Sequence, residues 1–405
     1  MTCLEVLAGN SMSWETENIS PLVDLVLKRS LENLGRRHKY PGDSFERACS
    51  LCCSPDYILP FWFFIDKMLV NKLLVLVSVV SGSLAKSCKS RYARTQPASD
   101  ALVVDGSGAY SGSFSTIGEA VAALKNDTLE EQVIFVLPGT YKEQVYIAPL
   151  SGPLKVQGYT CDTRSYVDNQ VTLTNNISRQ SPNITRNDET ATLRLWSSGV
   201  KMYNMNVANT FGAAATSGQA LALSAQQTDL GFYGCSFEGW QDTIYANEGR
   251  QIYANTFING AVDFIFGLRA AAWFENCDIE TLGDGYITAN GRDAENNTSF
   301  YVFNKCDVSG TSGEASTYLG RPWRPYSRVV FQKSSLGDVV HPEGWSRWDS
   351  TQSVDNIVYG EYKNKGVGSE GVRANFSSEL TAPIKITELM GASFTKEWWV
   401  DATYL

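Results

Sequence analysis

The chain has 405 residues, 43% hydrophobic and 19% charged, which is enough for one large domain with an appendage. Its formal net charge of −9 argues against nucleic acid as the partner. Only two histidines are present, His38 and His341, which removes paired-histidine zinc helices and most histidine-rich metal sites.

Residues 1–67 mix charged stretches with Cys49, Cys52 and Cys53 and carry no repeat. Met68 then opens a short basic region with Lys72, followed by the apolar run Leu73 to Val80 and the small residues Ser81-Gly82-Ser83-Leu84-Ala85. That is the form of a secretory signal peptide, too short to cross a membrane comfortably. The reading is that translation starts at Met68, that residues 68–85 are the signal, and that residues 1–67 are an over-extended gene model. A membrane anchor over 58–80 is the alternative, made costly by Asp66, Lys67, Asn71 and Lys72. Residues 86–99 are polar and read as a flexible lead-in. Sequons at Asn126, Asn176, Asn183, Asn296, Asn297 and Asn375 agree with secretion and glycosylation.

From about residue 100 one domain runs to the end. Thr116-Ile117-Gly118-Glu119 has capping-box spacing, and Ile117, Ala120, Val121 and Leu124 follow at helical intervals. A short helix there suits the open end of a repeat stack. Val133 to Leu137 reads as a buried strand stopped by Pro138-Gly139. Repeats follow as far as about residue 337: Asn204 to Val207, Gly234 to Phe237, Ala254 to Phe257, Asn276 to Ile279, Lys305 to Val308 and Lys333 to Leu336. An aromatic residue stands one or two places before each: Tyr203, Tyr233, Tyr253, Phe274, Phe303, Phe331. The segments recur roughly every 20–30 residues, a period typical of solenoids. Short strands at that period predict an all-β parallel β-helix, each coil burying its apolar side against the next. Cys235, Cys277 and Cys306 share one repeat position and read as small buried core residues; disulfides between them are the alternative, disfavoured by the odd cysteine count after the signal and by the stacked position. The tail from 350 is Gly- and Ser-rich, with a short helix near Glu388.

Two carboxylates stand out against this repeat. Asp242, in Gly239-Trp240-Gln241-Asp242-Thr243, and Asp263, in Gly260-Ala261-Val262-Asp263-Phe264, are separated by about one coil. Neighbouring strands lie only ~4.8 Å apart, so the pair stacks on one face. Two carboxyls so close do not both ionise easily, and one keeps a proton near neutral pH. An acid and a nucleophile in one place suggest hydrolysis. Gln219 precedes Gln241 by about one coil as well, and both amides fall near the pair as donors for a developing oxyanion. Gln219 taken alone reads more readily as part of a structural ladder than as a catalytic group. Arg321 offers a charge-assisted bond to one carboxylate. Trp323, Trp345 and Trp348 offer rings for stacking on sugars. His341 lies in a turn-like segment and reads as structural, because no serine elbow accompanies it.

In order, Gly139-Thr140-Tyr141-Lys142-Glu143, Gln219-Ala220-Leu221-Ala222-Leu223, Gln241-Asp242-Thr243-Ile244, Asp263-Phe264-Ile265-Phe266-Gly267, Leu319-Gly320-Arg321-Pro322-Trp323 and His341-Pro342-Glu343-Gly344-Trp345 resemble the pectin methylesterase (pectinesterase) family, in its fungal branch. The resemblance covers about residues 100–400. It implies a right-handed parallel β-helix and hydrolysis of the methyl esters of polygalacturonan, without metal or cofactor. It implies Asp263 as nucleophile, Asp242 as general acid and then base, and Gln219 and Gln241 as oxyanion donors. It implies Arg321 as the residue that holds the nucleophile ionised, and Trp323 and Trp345 as substrate contacts. It implies methyl-esterified pectin as the partner, and a secreted monomer of the cell wall. A lyase or polygalacturonase of the same architecture lacks its residue set here. A non-catalytic pectin-binding β-helix has no use for the acid pair and the arginine.

Overall fold

The computed structural model describes residues 88–216 and 218–405. The expected signal peptide and the segment before it lie outside the described residues. The described chain winds into a parallel β-helix with two long sheets, one of eleven strands and one of thirteen, and every ladder between named strands is parallel. Each coil gives one strand to the first sheet, turns a corner, and gives one to the second.

The corner explains the repeat. Asn204, Gly234, Asn255, Asn276, Lys305 and Lys333 all hold positive φ, between 50° and 60°. Asparagine and glycine enter that region most easily, and a second-sheet strand starts two residues later. Counted by its corner, the third repeat runs one residue later than its sequence alignment. Asn255, not Ala254, takes the corner, and Phe257 pairs with Ser236 and Asp278. The residue after each corner points inward: Met205, Cys235, Thr256, Cys277, Cys306 and Ser334 are all buried. Cys235, Cys277 and Cys306 are free thiols.

The single aromatic column divides in two. Phe232, Tyr253, Phe274, Phe303 and Phe331 stack through the interior, with ring centroids 4.7, 4.7, 4.3 and 4.2 Å apart. Tyr203 and Tyr233 stack at 5.1 Å on the opposite face of the same sheet. Alternate residues of a strand face opposite ways, and Phe232, one place before Tyr233, is the residue paired with Tyr253. The outer pair is covered by the C-terminal segment. That segment carries the helix Ile386–Met390 and buries Met390, Phe394, Trp399 and Val400 against this face. Arg250 fastens it with two hydrogen bonds to Glu397.

Near the start of the domain, helix α1 (Ile117–Ala122) forms with Thr116 as its cap and Glu119 closing the box. Glu143 accepts the N–H groups of Ile117 and Gly118 at 2.8 and 2.9 Å, filling two donors that a helix start leaves open. Residues 88–99, expected as a free lead-in, are tied to the body. Cys88 is disulfide-bonded to Cys161, and Arg94 bridges to Thr160. Among the described residues no helix is long and apolar enough to cross a membrane.

Candidate active site

Coil register assembles the site. Gln219, Gln241 and Val262 stand one above another in parallel bridges. Their C-terminal neighbours include Asp242 and Asp263, which therefore lie on adjacent coils at the same height. The main-chain N–H of Asp242 donates to the carbonyl of Val262 at 3.1 Å, locking the step. Both aspartates hold positive φ, 63° and 50°. Aspartate tolerates that conformation better than most residues, and here it turns the carboxyls out of the strand alternation.

Both carboxyls are nearly buried, at 6% and 7% exposure, in a cleft of about 250 Å³. Gln219, Gln241, Phe266, Ala289, Arg321, Trp323 and Trp348 also line it. Arg321 grips Asp263 with two parallel bonds, Nε to Oδ1 at 2.9 Å and Nη2 to Oδ2 at 2.6 Å. Its guanidinium lies between the rings of Tyr286 and Trp348, at 4.0 and 4.2 Å. The approach depends on Gly320. A Cβ there would stand 2.1 Å from the hydroxyl of Thr288, which is buried and donates to Leu319.

The environments of the two acids differ. Burial pushes the Asp242 carboxyl well above its ordinary range, the charge of Asp263 adds to the rise, and Arg321 opposes it. Burial also raises Asp263, but the hydrogen bonds and charge of Arg321 pull directly against that. Burial thus raises both carboxyls, and Arg321, bonded directly to Asp263, favours the ionised form there more than at Asp242. A fork-paired carboxylate beside a neutral carboxylic acid can act as nucleophile and proton donor on one bound group.

Of the residues read from sequence, Asp242, Asp263, Gln219, Gln241, Arg321, Trp323 and Trp348 come together here. Trp345 does not. It is 1% exposed, stacked on Tyr359 at 4.2 Å, and its indole N–H donates to Glu361. Its bridge to Gly320 turns the ring into the core, so it offers no face to a sugar. Trp348, three residues on, holds the cleft position. His341 accepts the N–H of Glu343 in its turn and stacks on Tyr318 at 4.4 Å, outside the cleft. Asn187 and Tyr286 went unread. Asn187 sits in a polar run that resembles an exposed turn, and its Nδ2 donates to Asp242 Oδ2 at 2.9 Å.

Fold and cleft define a parallel β-helix protein with a buried aspartate pair, one member held by arginine. The chain belongs to the pectinesterase family: that family's model matches residues 101–395. A pectinesterase of Aspergillus niger is 46% identical over 345 residues, covering 83% of this chain and all of that one. One of Aspergillus aculeatus is 45% identical, covering 81% of this chain and 99% of that one. Among solved structures, the pectin methylesterase of Aspergillus niger superposes with a TM-score of 0.70 at 39% identity, covering 77% of this chain and all of that one. The carrot enzyme gives 0.66 at 30% identity, covering 76% and 98%.

Proposed function

We propose that this protein hydrolyses the methyl esters of pectin, giving pectate and methanol, with Asp263 as the nucleophile. The observation that carries the reading is the two-bond pair of Arg321 with Asp263 beside the buried carboxyl of Asp242, in a chain of this family. An oxygen of Asp263 attacks the ester carbonyl carbon. Negative charge moves to the carbonyl oxygen, where Gln219 and Gln241 donate. The C–OCH₃ bond breaks, and methanol takes the proton of Asp242. The acyl group now sits on Asp263 as an anhydride. Asp242, ionised by that step, takes a proton from water as the water attacks the same carbon. The bond to Asp263 breaks, a galacturonic acid is freed, and it ionises. Trp323 and Trp348 offer apolar ring faces to the sugars.

The test is purified protein on highly methylated pectin. Methanol and acid are released while chain length stays constant. Unsaturated ends, seen by ultraviolet absorbance, would make it a lyase, and new reducing ends without methanol would make it a glycosidase. Binding with none of the three would leave it a non-catalytic pectin-binding protein.

We read the coil as right-handed, as nearly all parallel crossovers are. Helix α1 is read as the cover of the N-terminal end of the stack, in keeping with its burial of Ile117 and Ala120. The protein is read as a secreted monomer of the cell wall whose mature chain begins near Lys86. Exposed Asn126, Asn176, Asn183, Asn296 and Asn375 support secretion. N-terminal sequencing of secreted protein should start at or near Lys86. Residues from 1–67 on the mature chain would overturn that boundary.

A further inference from the structure

Asn187 opens a single 3-10 turn, Asn187–Thr190, that is fastened on every side. Glu189 takes the N–H groups of Thr185 and Arg186 at 2.7 and 3.0 Å, and these bonds hold its carboxyl down to about 2. Asp188 is 6% exposed and points the other way. It accepts two bonds from Arg194 at 3.1 and 2.6 Å, one from the Trp196 indole at 3.1 Å and one from Ser224 at 2.8 Å. Thr190 donates to the carbonyl of Asn187 at 2.8 Å, and Gln144 donates to the carbonyls of Glu189 and Ala191. So much polar clamping on one short turn fixes the direction of one side chain, that of Asn187. It enters the cleft, and its Nδ2 stands 2.9 Å from Oδ2 of Asp242.

We propose that Asn187 positions the proton of the acid–base carboxyl: by donating to Oδ2 of Asp242, it places the transferable proton on Oδ1 and steadies the carboxylate left after methanol departs. The proposal rests on reading Asp242 as the acid and base of ester hydrolysis. An N–H donor favours an oxygen with a free lone pair and no proton, so the bond selects between the two oxygens. It also favours the ionised form. The other groups acting on Asp242 are Asp263, which disfavours its charge, and Arg321, which favours it. Tyr245, from the strand Ile244–Ala246, feels the charge of Asp242 as well. Arg321 directs its forked pair of bonds at Asp263, which leaves Asn187 as the direct donor to Asp242 among the described residues.

Asn187→Ala removes the donor. The pKa of Asp242 then rises, and the alkaline limb of kcat/KM, which reports the free enzyme's acid, moves up by about one to two pH units. The rate constant kcat falls by about 10- to 100-fold, because the carboxylate formed on acylation has lost its partner. KM stays within about twofold, since Asn187 acts through Asp242 and not on the substrate. Asn187→Asp keeps the shape and puts an acceptor where the donor was. Its loss at neutral pH is larger, and part returns as the pH is lowered and the introduced carboxyl takes a proton. The second measurement needs no pectin. The carboxyl carbons of ¹³C-labelled aspartate are titrated by NMR, with Asp242 assigned through Asp242→Asn. In Asn187→Ala the Asp242 transition moves to higher pH while the melting curve stays cooperative. A raised KM with an unmoved alkaline limb, or an unmoved Asp242 titration, overturns the proposal even if the wild type releases methanol. A wild type that releases none overturns the reading of Asp242 as acid and base, and the titration still reports whether Asn187 sets its proton.

Discussion

Asp263→Asn leaves a folded protein that binds pectin and releases methanol slower by on the order of 10⁴-fold or more, the scale expected when one member is removed from a unit that acts together. Asp242→Asn falls in the same range, because in the proposed scheme both the departure of methanol and the activation of water pass through that carboxyl. The double variant is little worse than the worse single one. Single-turnover methanol release on the three variants measures this, and multiplicative losses would remove the acyl-enzyme scheme. Stability separates the two positions in the opposite manner. Asp242 has a folded-state pKa well above its ordinary value, from burial first and the Asp263 charge second. A raised carboxyl pKa means that the folded state holds the proton more tightly than the unfolded state. Its contribution is fully present below the unfolded pKa and is lost as pH rises toward the folded one. Asp242→Asn does not titrate, so it melts higher than wild type at neutral pH, and the gap closes below the ordinary aspartate range. Asp263→Asn instead leaves the Arg321 guanidinium without its partner. The Arg321 side chain keeps 21% exposure, so the cost is about 2 kcal/mol, short of the ~3–5 of a fully buried pair.

The opposite stability signs of two isosteric changes come from a difference that the sequence carries only in part. The repeat was legible because its cause is local. A corner at positive φ wants asparagine or glycine, the next residue must be small enough to be buried, and the strand alternates from there. The one slip, at Asn255, arises where the aromatic residue two places earlier serves as the anchor instead of the corner itself. The same shortcut merges Tyr233 with Phe232, neighbours that face opposite sides of one sheet. Asp242, Asp263, Gln219 and Gln241 were legible because the coils that carry them are nearly equal in length, so spacing along the chain is height along the stack. Arg321 came from its local segment and the resemblance, and the close strand approach at the preceding Gly320, where a Cβ would meet Thr288, is marked in the sequence only as a glycine. Trp345 and Trp348 could not be told apart by type. Only the bridge of Trp345 to Gly320 decides which ring turns inward. Asn187 lies 55 residues from Asp242, in a polar run with no apolar period to place it, so its contact depends wholly on how Asp188 and Glu189 are tied. The Cys88–Cys161 bridge spans 73 residues and gave no spacing signal at all.

Arg321→Lys keeps the positive charge and removes the fork, and we expect kcat/KM to fall about 100-fold or more. Lysine offers a point charge in place of two parallel bonds, and it gives up the planar stacking between Tyr286 and Trp348 that fixes where those bonds point. The pH profile identifies the cause. Burial raises the Asp263 pKa, and the Arg321 bonds oppose that rise. Weakening the opposition raises it further, so a higher pH is needed to ionise the nucleophile. The acidic limb of kcat/KM therefore moves up, and activity is lost first on the acid side. The alkaline limb, which the proposed scheme assigns to Asp242, moves less, because a cation remains nearby and the Asn187 bond is untouched. Asn187→Ala gives the mirror image, an alkaline limb that moves while the acidic one stays. Two single substitutions thus address the two carboxyls one at a time, although the carboxyls sit on adjacent coils. Should Arg321→Lys shift the alkaline limb alone, the assignment of nucleophile and acid would have to be exchanged. Should it lower the rate with both limbs fixed, Arg321 would be holding substrate and not Asp263.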